Sequence, residues 1–356
     1  EIKLNNAEHL KRWEWENLQA GLFKLGFKNL SLSQYQQSGA FFLNEGKNIL
    51  ITFFTAKAVL EGQLTLGAML AIQYIIGQLN GPVEQLIGFV QQAQDAKISL
   101  ERINEIHQVE NEEDAEKEYI RKLPVNTSIQ IQNLSFTYTG AGNEPVLENI
   151  NLQIPQGKVT ALVGVSGSGK TTILKLLLQF YTHYKGDIKI GNSNIKYISP
   201  AYWRSCCGTV MQDGYIFSDS IAKNIAVGDE MPDYEKLMYA CTVANIITFV
   251  ESLPLGFNTK IGAEGNGISA GQKQRILIAR AVYKNPQYLF FDEATNALDA
   301  NNEKAIMENL AGFFEGRTVI VVAHRLSTVR HADNIIVLEK GVIAEQGSHE
   351  CLTKLK

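Results

Sequence analysis

Cysteine is scarce in this sequence. Cys206, Cys207, Cys241 and Cys351 are the four in 356 residues, and no C-x-x-C spacing joins them, so a disulfide framework is excluded. They read as reduced thiols facing the cytosol, with packing as their role. A dominant charge is missing too: 33 basic side chains oppose 37 acidic ones. No whole-chain basic field for nucleic acid exists, so nucleic acid is not an expected partner and any polyanion has to be gripped locally. The opening EIKLNNAEHLKRWEWENL has neither an initiator methionine nor a signal-peptide pattern. It reads as the middle of a longer helical region, hence the expectation of a piece of a longer chain. What is present in ordinary measure is apolar material, 45% of residues, which excludes a disordered tail. The length is that of about two domains.

Composition changes near residue 125. Before it lie helical stretches with few prolines, closed by the acidic run EIHQVENEEDAEKEYIRK at 105–122, which reads as a solvated helix end or linker. After it, β-rich runs such as SIQIQNLSFTY and KVTALVGV alternate with helical runs such as TTILKLLLQFY and KQRILIARAVY, the pattern of one α/β domain.

The first part raises the question of a membrane. Residues 62–83 carry no charge, and about 20 largely apolar residues suffice to cross a bilayer. The preceding stretch 38–60 is interrupted by Glu45, Lys47 and Lys57. Basic residues flank the pair: Lys3, Lys11, Arg12, Lys24 and Lys28 before it, Lys97 and Arg102 after it. Only Glu61 lies between, which fits a hairpin with both ends in the cytoplasm. Glu45 and Lys47 then sit at membrane depth, facing a cavity or a partner, and Pro82 is expected to kink the second helix. A pair of soluble helices is the competing reading.

The strongest motif lies in KVTALVGVSGSGKTTILKLLL. Gly164, Val165, Ser166, Gly167, Ser168, Gly169, Lys170 and Thr171 satisfy G-x-x-x-x-G-K-[ST], with a β-like run before and a helical run after. Glycines let successive amides turn inward on a polyphosphate, and the helix start adds its positive end. Lys170 reaches the β- and γ-phosphates and the Thr171 hydroxyl ligates Mg²⁺. Thr172 completes the expected ATP-binding set. Farther on, the strand 288–291 delivers Asp292, placed to hold the Mg²⁺ water shell, and Glu293, placed to polarise water as a general base. Alone, such an Asp-Glu pair reads as a helix cap with a solvated neighbour. A third strand ends in His324, at the same expected edge, while His331 reads as surface.

These residues resemble the ATP-binding cassette of ABC transporters. GISAGQKQRILIARAVYKNP is similar to the family's signature and the helix after it, VMQDGYIF to its Q-loop around Gln212, NALD to its D-loop with Asp299, and VAHRLSTV to its H-loop with His324. Tyr138 stands where the family stacks an aromatic on adenine. The resemblance implies an α/β P-loop NTPase with a RecA-like core, an antiparallel β subdomain and a helical subdomain at about 213–285, preceded by an all-α membrane-domain fragment. It implies a head-to-tail dimer in which Ser269, Ala270, Gly271 and Gln272 serve the partner copy's ATP. Ala270 replaces a usual glycine: harmless at negative φ, straining at positive φ.

The segment 1–107 resembles the end of an exporter's membrane domain, with a coupling helix at about 13–30 and membrane helices at about 34–60 and 63–92. The 13–30 face reads equally as ordinary helix packing. A linker at 108–126 and a cassette at 127–356 follow, and Glu264 resembles a residue that contacts the membrane domain. Catalytic roles fall to Glu293, His324 and Gln212, with Mg²⁺ on Thr171, Gln212 and Asp292, partly through water. The resemblance implies a multi-pass protein of the bacterial cytoplasmic membrane, homodimeric, with ATP and Mg²⁺ as cofactors, the lipid bilayer as surroundings and a peptide or small protein as cargo. A lipid or drug exporter of the same architecture is the alternative, a soluble ABC ATPase the next.

Overall fold

A computed structural model of the chain describes residues 2–109, 111–114, 117–140, 142, 144–265, 267–293, 300–323 and 329–354, the side chains of 300–302 excepted. Two compact units result, Glu1–Glu110 and Asn111–Lys356.

The first unit is a hairpin of two helices, α1 (Glu8–Leu60) and α2 (Leu66–His107). The turn forms where the sequence supplies a C-terminal glycine and an N-cap. Gly62 adopts φ +74° and donates to the Val59 carbonyl at 3.1 Å, and Thr65 Oγ1 accepts the Ala68 amide at 3.2 Å. Two side-chain bonds tie the helices together: Lys47 Nζ to Asn80 Oδ1 at 2.9 Å and Gln73 Nε2 to Thr52 Oγ1 at 2.7 Å. Two helix boundaries differ from expectation. The segments 13–30 and 34–60 are one unbroken helix, because no proline or glycine falls between Leu30 and Gln34 to end the first. The second helix extends past residue 92 to His107, with Pro82 inside it. No helix among the described residues is long and apolar enough to cross a membrane. Glu45, Lys47 and Lys57 in α1 and Gln73, Gln78, Asn80 and Glu84 in α2 dilute the apolar stretches.

The second unit holds two main sheets. Strands β1 (Ile129–Phe136), β2 (Leu147–Ile154), β4 (Lys185–Ile190) and β5 (Ser193–Asn194) form an antiparallel sheet in the order β2-β1-β4-β5. The other sheet runs β12-β11-β3-β10-β9-β6, from β3 (Val159–Val163), β6 (Cys207–Val210), β9 (Tyr288–Asp292), β10 (Thr318–Val322), β11 (Asn334–Glu339) and β12 (Val342–Gly347). All its pairings are parallel except β11 with β12. Every residue of β9 and β10 is buried, as continuous apolar strands covered on both faces demand. Their side chains alternate between two cores. Tyr288, Phe290 and Ile320 pack toward the antiparallel sheet and helix α3 (Lys170–Leu177). Leu289, Phe291, Val319 and Val321 pack toward the helical side. That side comprises α5 (Ile221–Ile225), α6 (Tyr234–Val243), α7 (Ile247–Ser252), α8 (Ala270–Tyr283) and α9 (Ala300–Phe314), the α5, α6 and α7 helices and α8 falling in the expected 213–285 region.

The acidic run is not all solvated. Glu113 accepts hydrogen bonds from the Ser199 hydroxyl and the Ala201 amide at the start of α4 (Pro200–Ser205), and Glu112 takes the Arg204 guanidinium at two points. Ile120 pairs with Ile198, its amide donating to Tyr197 O at 2.8 Å. Residues from 111 onward therefore belong with the second unit rather than with a linker ending at 126.

Candidate functional site

Parallel strands aim their C-terminal ends at one edge, and β10 stands between β3 and β9 there. The loop 164–169 leaves β3 at that edge and runs into α3. Two of its three glycines, Gly164 and Gly169, are required by contact. A Cβ on Gly164 would lie 2.2 Å from the Leu338 carbonyl oxygen, and one on Gly169, at φ +101°, would lie 2.5 Å from Leu147 Cδ2. The loop closes around Lys170, whose Nζ donates to the carbonyls of Gly164 and Val165, both at 2.9 Å. Val165, Ser166 and Gly167 are exposed at the rim, whereas Ser168, Gly169 and Lys170 are buried.

Asp292 arrives from the end of β9, 1% exposed, and accepts the Thr171 hydroxyl on Oδ1 at 3.2 Å. Its Oδ2 and the Ser168 hydroxyl are buried with no hydrogen-bond partner among the described residues. Unsatisfied oxygens in the interior are costly, so each of the two is open to a cation or to a donor from a ligand. Burial raises the Asp292 carboxyl above the ordinary range; the Thr171 hydroxyl opposes this and Glu293 adds to it. Burial lowers the Lys170 ammonium, against the pull of Glu293 and Asp292. Glu293 sits in the left-handed region at φ +51°, and its carbonyl accepts from Gln274 Nε2 at 3.0 Å. Such a conformation persists only where neighbours enforce it.

Tyr138 lies beside the same helix. Its hydroxyl and Thr172 Oγ1 share a hydrogen bond of 3.0 Å, and Phe136 and Tyr181 meet its ring at centroid distances of 5.0 and 5.4 Å. Gln212 occupies an exposed turn after β6. Ser269, Ala270, Gly271 and Gln272 form their own cluster at the start of α8. Ser269 is the N-cap, its Oγ accepting the Gln272 amide at 3.1 Å while Gln272 Oε1 accepts the Ser269 amide at 2.8 Å, a reciprocal capping box. Ala270 is the first helical residue and is not among the positive-φ positions, so the replaced glycine causes no strain. Asp299 and His324 lie outside the described residues.

Residues 147–296 match the family model described as ABC transporter. This chain carries an ABC transporter domain. The alpha-hemolysin translocation ATP-binding protein HlyB of Escherichia coli is 39% identical over 339 residues, covering 94% of this chain and 47% of its own length. The toxin RTX-I translocation ATP-binding protein of Actinobacillus pleuropneumoniae is 38% identical with the same coverage. A solved bacterial Atm1-family ABC exporter with ATP bound superposes with TM-score 0.84 and 29% identity, over 99% of this chain and 62% of that one. The chain thus spans about half the length of the curated relatives it matches.

Two residues that shape this edge carry no local signal. Leu147 under Gly169 is one of many leucines, and Gln274 sits within a helical run that reads as ordinary amphipathic sequence.

Proposed function

We propose that this chain is the ATP-hydrolysing part of a membrane exporter that couples nucleotide binding and hydrolysis to the movement of a peptide or small protein. The observation that carries the ATPase reading is the loop 164–169 closed on Lys170 with Asp292 brought to Thr171. The relatives named as translocation ATP-binding proteins support the export reading, since they match along 94% of the chain.

In this reading the amides of 164–171 and the start of α3 cradle the phosphates, and Lys170 exchanges two backbone carbonyls for β- and γ-phosphate oxygens. Tyr138 stacks on the base. Thr171 Oγ1 and the unpartnered Asp292 oxygen fit a Mg²⁺ ion, with Gln212 as the third contributor. Bound Mg²⁺ would neutralise charge between the β- and γ-phosphates. Glu293 orients and deprotonates water, and His324 holds the γ-phosphate end. Ser269, Gly271 and Gln272 meet the nucleotide of a second copy, so a homodimer is the working form.

At about 1.5 Å per residue, α1 is about 80 Å long, far more than the roughly 30 Å of a bilayer's hydrocarbon core. We place the Glu61 turn outside and the far ends of both helices in the cytoplasm of a bacterium. The exposed Phe41, Phe42, Phe53 and Phe54 of α1 and Leu70, Leu79 and Phe89 of α2 suit lipid or neighbouring helices. The Lys47 to Asn80 and Gln73 to Thr52 bonds keep polar groups satisfied at depth.

The ATPase rate of the purified protein against that of Glu293→Gln tests the catalytic reading. The variant should retain ATP binding and lose about 100-fold or more in turnover; equal rates would remove Glu293 from its role. Retention in the membrane fraction after alkaline washing tests the exporter placement, and release into the wash overturns it.

A further inference from the structure

Helix α8 holds two parts of the catalytic edge at once. Gln274 grips the Glu293 carbonyl at 3.0 Å. Six residues on, and about 120° around the helix axis, Arg280 reaches the loop that follows Gln212. Its Nε donates to Asn224 O at 2.7 Å, Nη1 to Tyr215 O at 3.0 Å and Nη2 to Asn224 Oδ1 at 3.4 Å, and the guanidinium stands 5.6 Å from the Phe217 ring centre. Asn224, fully buried, continues the network: its amide oxygen accepts from the Phe217 amide at 2.8 Å and its NH₂ donates to the carbonyls of Phe217, Asp219 and Ser220. Between these anchors the loop lies flat on α8, since a Cβ on Gly214 would fall 2.3 Å from Leu277 Cδ1.

Gln212 itself is exposed on a turn. Its aim depends on the backbone two to five residues later, which Arg280 ties to α8 directly at Tyr215 O and, through its two bonds to Asn224, at Phe217. A fork of this kind restrains orientation as well as distance, which a single-point ammonium does not.

We propose that Arg280 is a positioning residue for ATP hydrolysis, fixing the Gln212 loop to the same helix that holds the backbone of Glu293. The inference rests on the reading of Gln212 and Glu293 given above. It makes α8 a crossbar: a shift of the helix when Ser269 engages a second copy's nucleotide re-aims Gln212 and Glu293 together.

The test compares wild type with Arg280→Lys and Gln212→Ala in the purified full-length protein. Arg280→Lys keeps the charge and one hydrogen bond but loses the fork. It should lower kcat by about 10- to 100-fold, leave KM for ATP and affinity for ADP within about twofold, and move the thermal midpoint by no more than a few degrees. The double variant should lose no more than Gln212→Ala alone, since both act through one loop. Amide hydrogen exchange in residues 211–217 should rise while that of 164–172 stays unchanged. A wild-type kcat in Arg280→Lys, additive losses in the double variant, or a parallel fall in ADP affinity and thermal midpoint would each overturn the proposal. Should wild type itself hydrolyse no ATP, the catalytic reading fails. The exchange measurement then still decides the mechanical claim, because unchanged exchange at 211–217 refutes it.

Discussion

The Thr171 hydroxyl donates to Oδ1 of Asp292 at 3.2 Å across 121 residues of sequence, joining the first turn of α3 to the end of β9. That bond leaves the second oxygen of the carboxylate buried and without a partner among the described residues. An ionised carboxylate so placed opposes folding of the nucleotide-free protein, as the upward displacement of its pKa by burial indicates. Asp292→Asn keeps an acceptor for Thr171 and removes the charge. It should raise the nucleotide-free thermal midpoint by about 2 to 4 °C and cut Mg²⁺-dependent hydrolysis by about 100-fold or more. A lowered midpoint in calorimetry would show that the charge stabilises the fold instead.

Ala270 departs from the family's usual glycine, and its place as the first residue of α8 makes the departure conformationally free. Ala270→Gly adds backbone entropy to the unfolded chain at a helical position. The expected cost is about 0.5 to 1 kcal/mol in urea unfolding, with no gain in turnover. A severalfold faster enzyme of unchanged stability would mean that the alanine restrains the signature after all.

The four thiols divide by burial. Cys351 is exposed and Cys206 half-buried, whereas burial raises Cys207 well above its ordinary value and pushes Cys241 up to about 12. At pH 8 iodoacetamide should label Cys351 fastest and Cys206 more slowly, leaving Cys207 and Cys241 unmodified until the chain unfolds. The sign for stability follows. An unfolded thiol ionises near pH 8.5, so the contribution of Cys241 is complete below about that pH and is lost as pH climbs toward about 12. Urea midpoints should fall over that range, with a smaller slope in Cys241→Ala. Rapid labelling of Cys241 in the native protein would contradict its burial.

The phosphate loop and the apolar strand behind Asp292 were legible because each is written in neighbouring residues. The loop's demand for Gly164 and Gly169, by contrast, comes from Leu338 and Leu147, which only the folded sheet brings near. The same holds for Arg280, whose acceptors lie 56 and 65 residues earlier. The run at 105–122 misleads for a related reason: its charge density suggests solvent, yet Glu112 and Glu113 find Arg204 and Ser199 about 90 residues on. An interruption of α1 near residue 30 was expected from function rather than from chemistry. Leu30, Ser31, Leu32 and Ser33 contain nothing that stops a helix.

Because β10 is inserted between β3 and β9, loop and carboxylate meet only after two parallel pairings are complete. Pairings between strands so distant in sequence close slowly, after local hairpins such as β1 with β2 can have formed. ATP therefore finds no binding site on a half-made sheet. It adds its affinity to the finished one alone, about 2.7 kcal/mol at a hundred times its Kd. Nucleotide then weighs on the folding equilibrium by mass action, raising the apparent stability of the completed sheet and leaving the unfinished one unchanged.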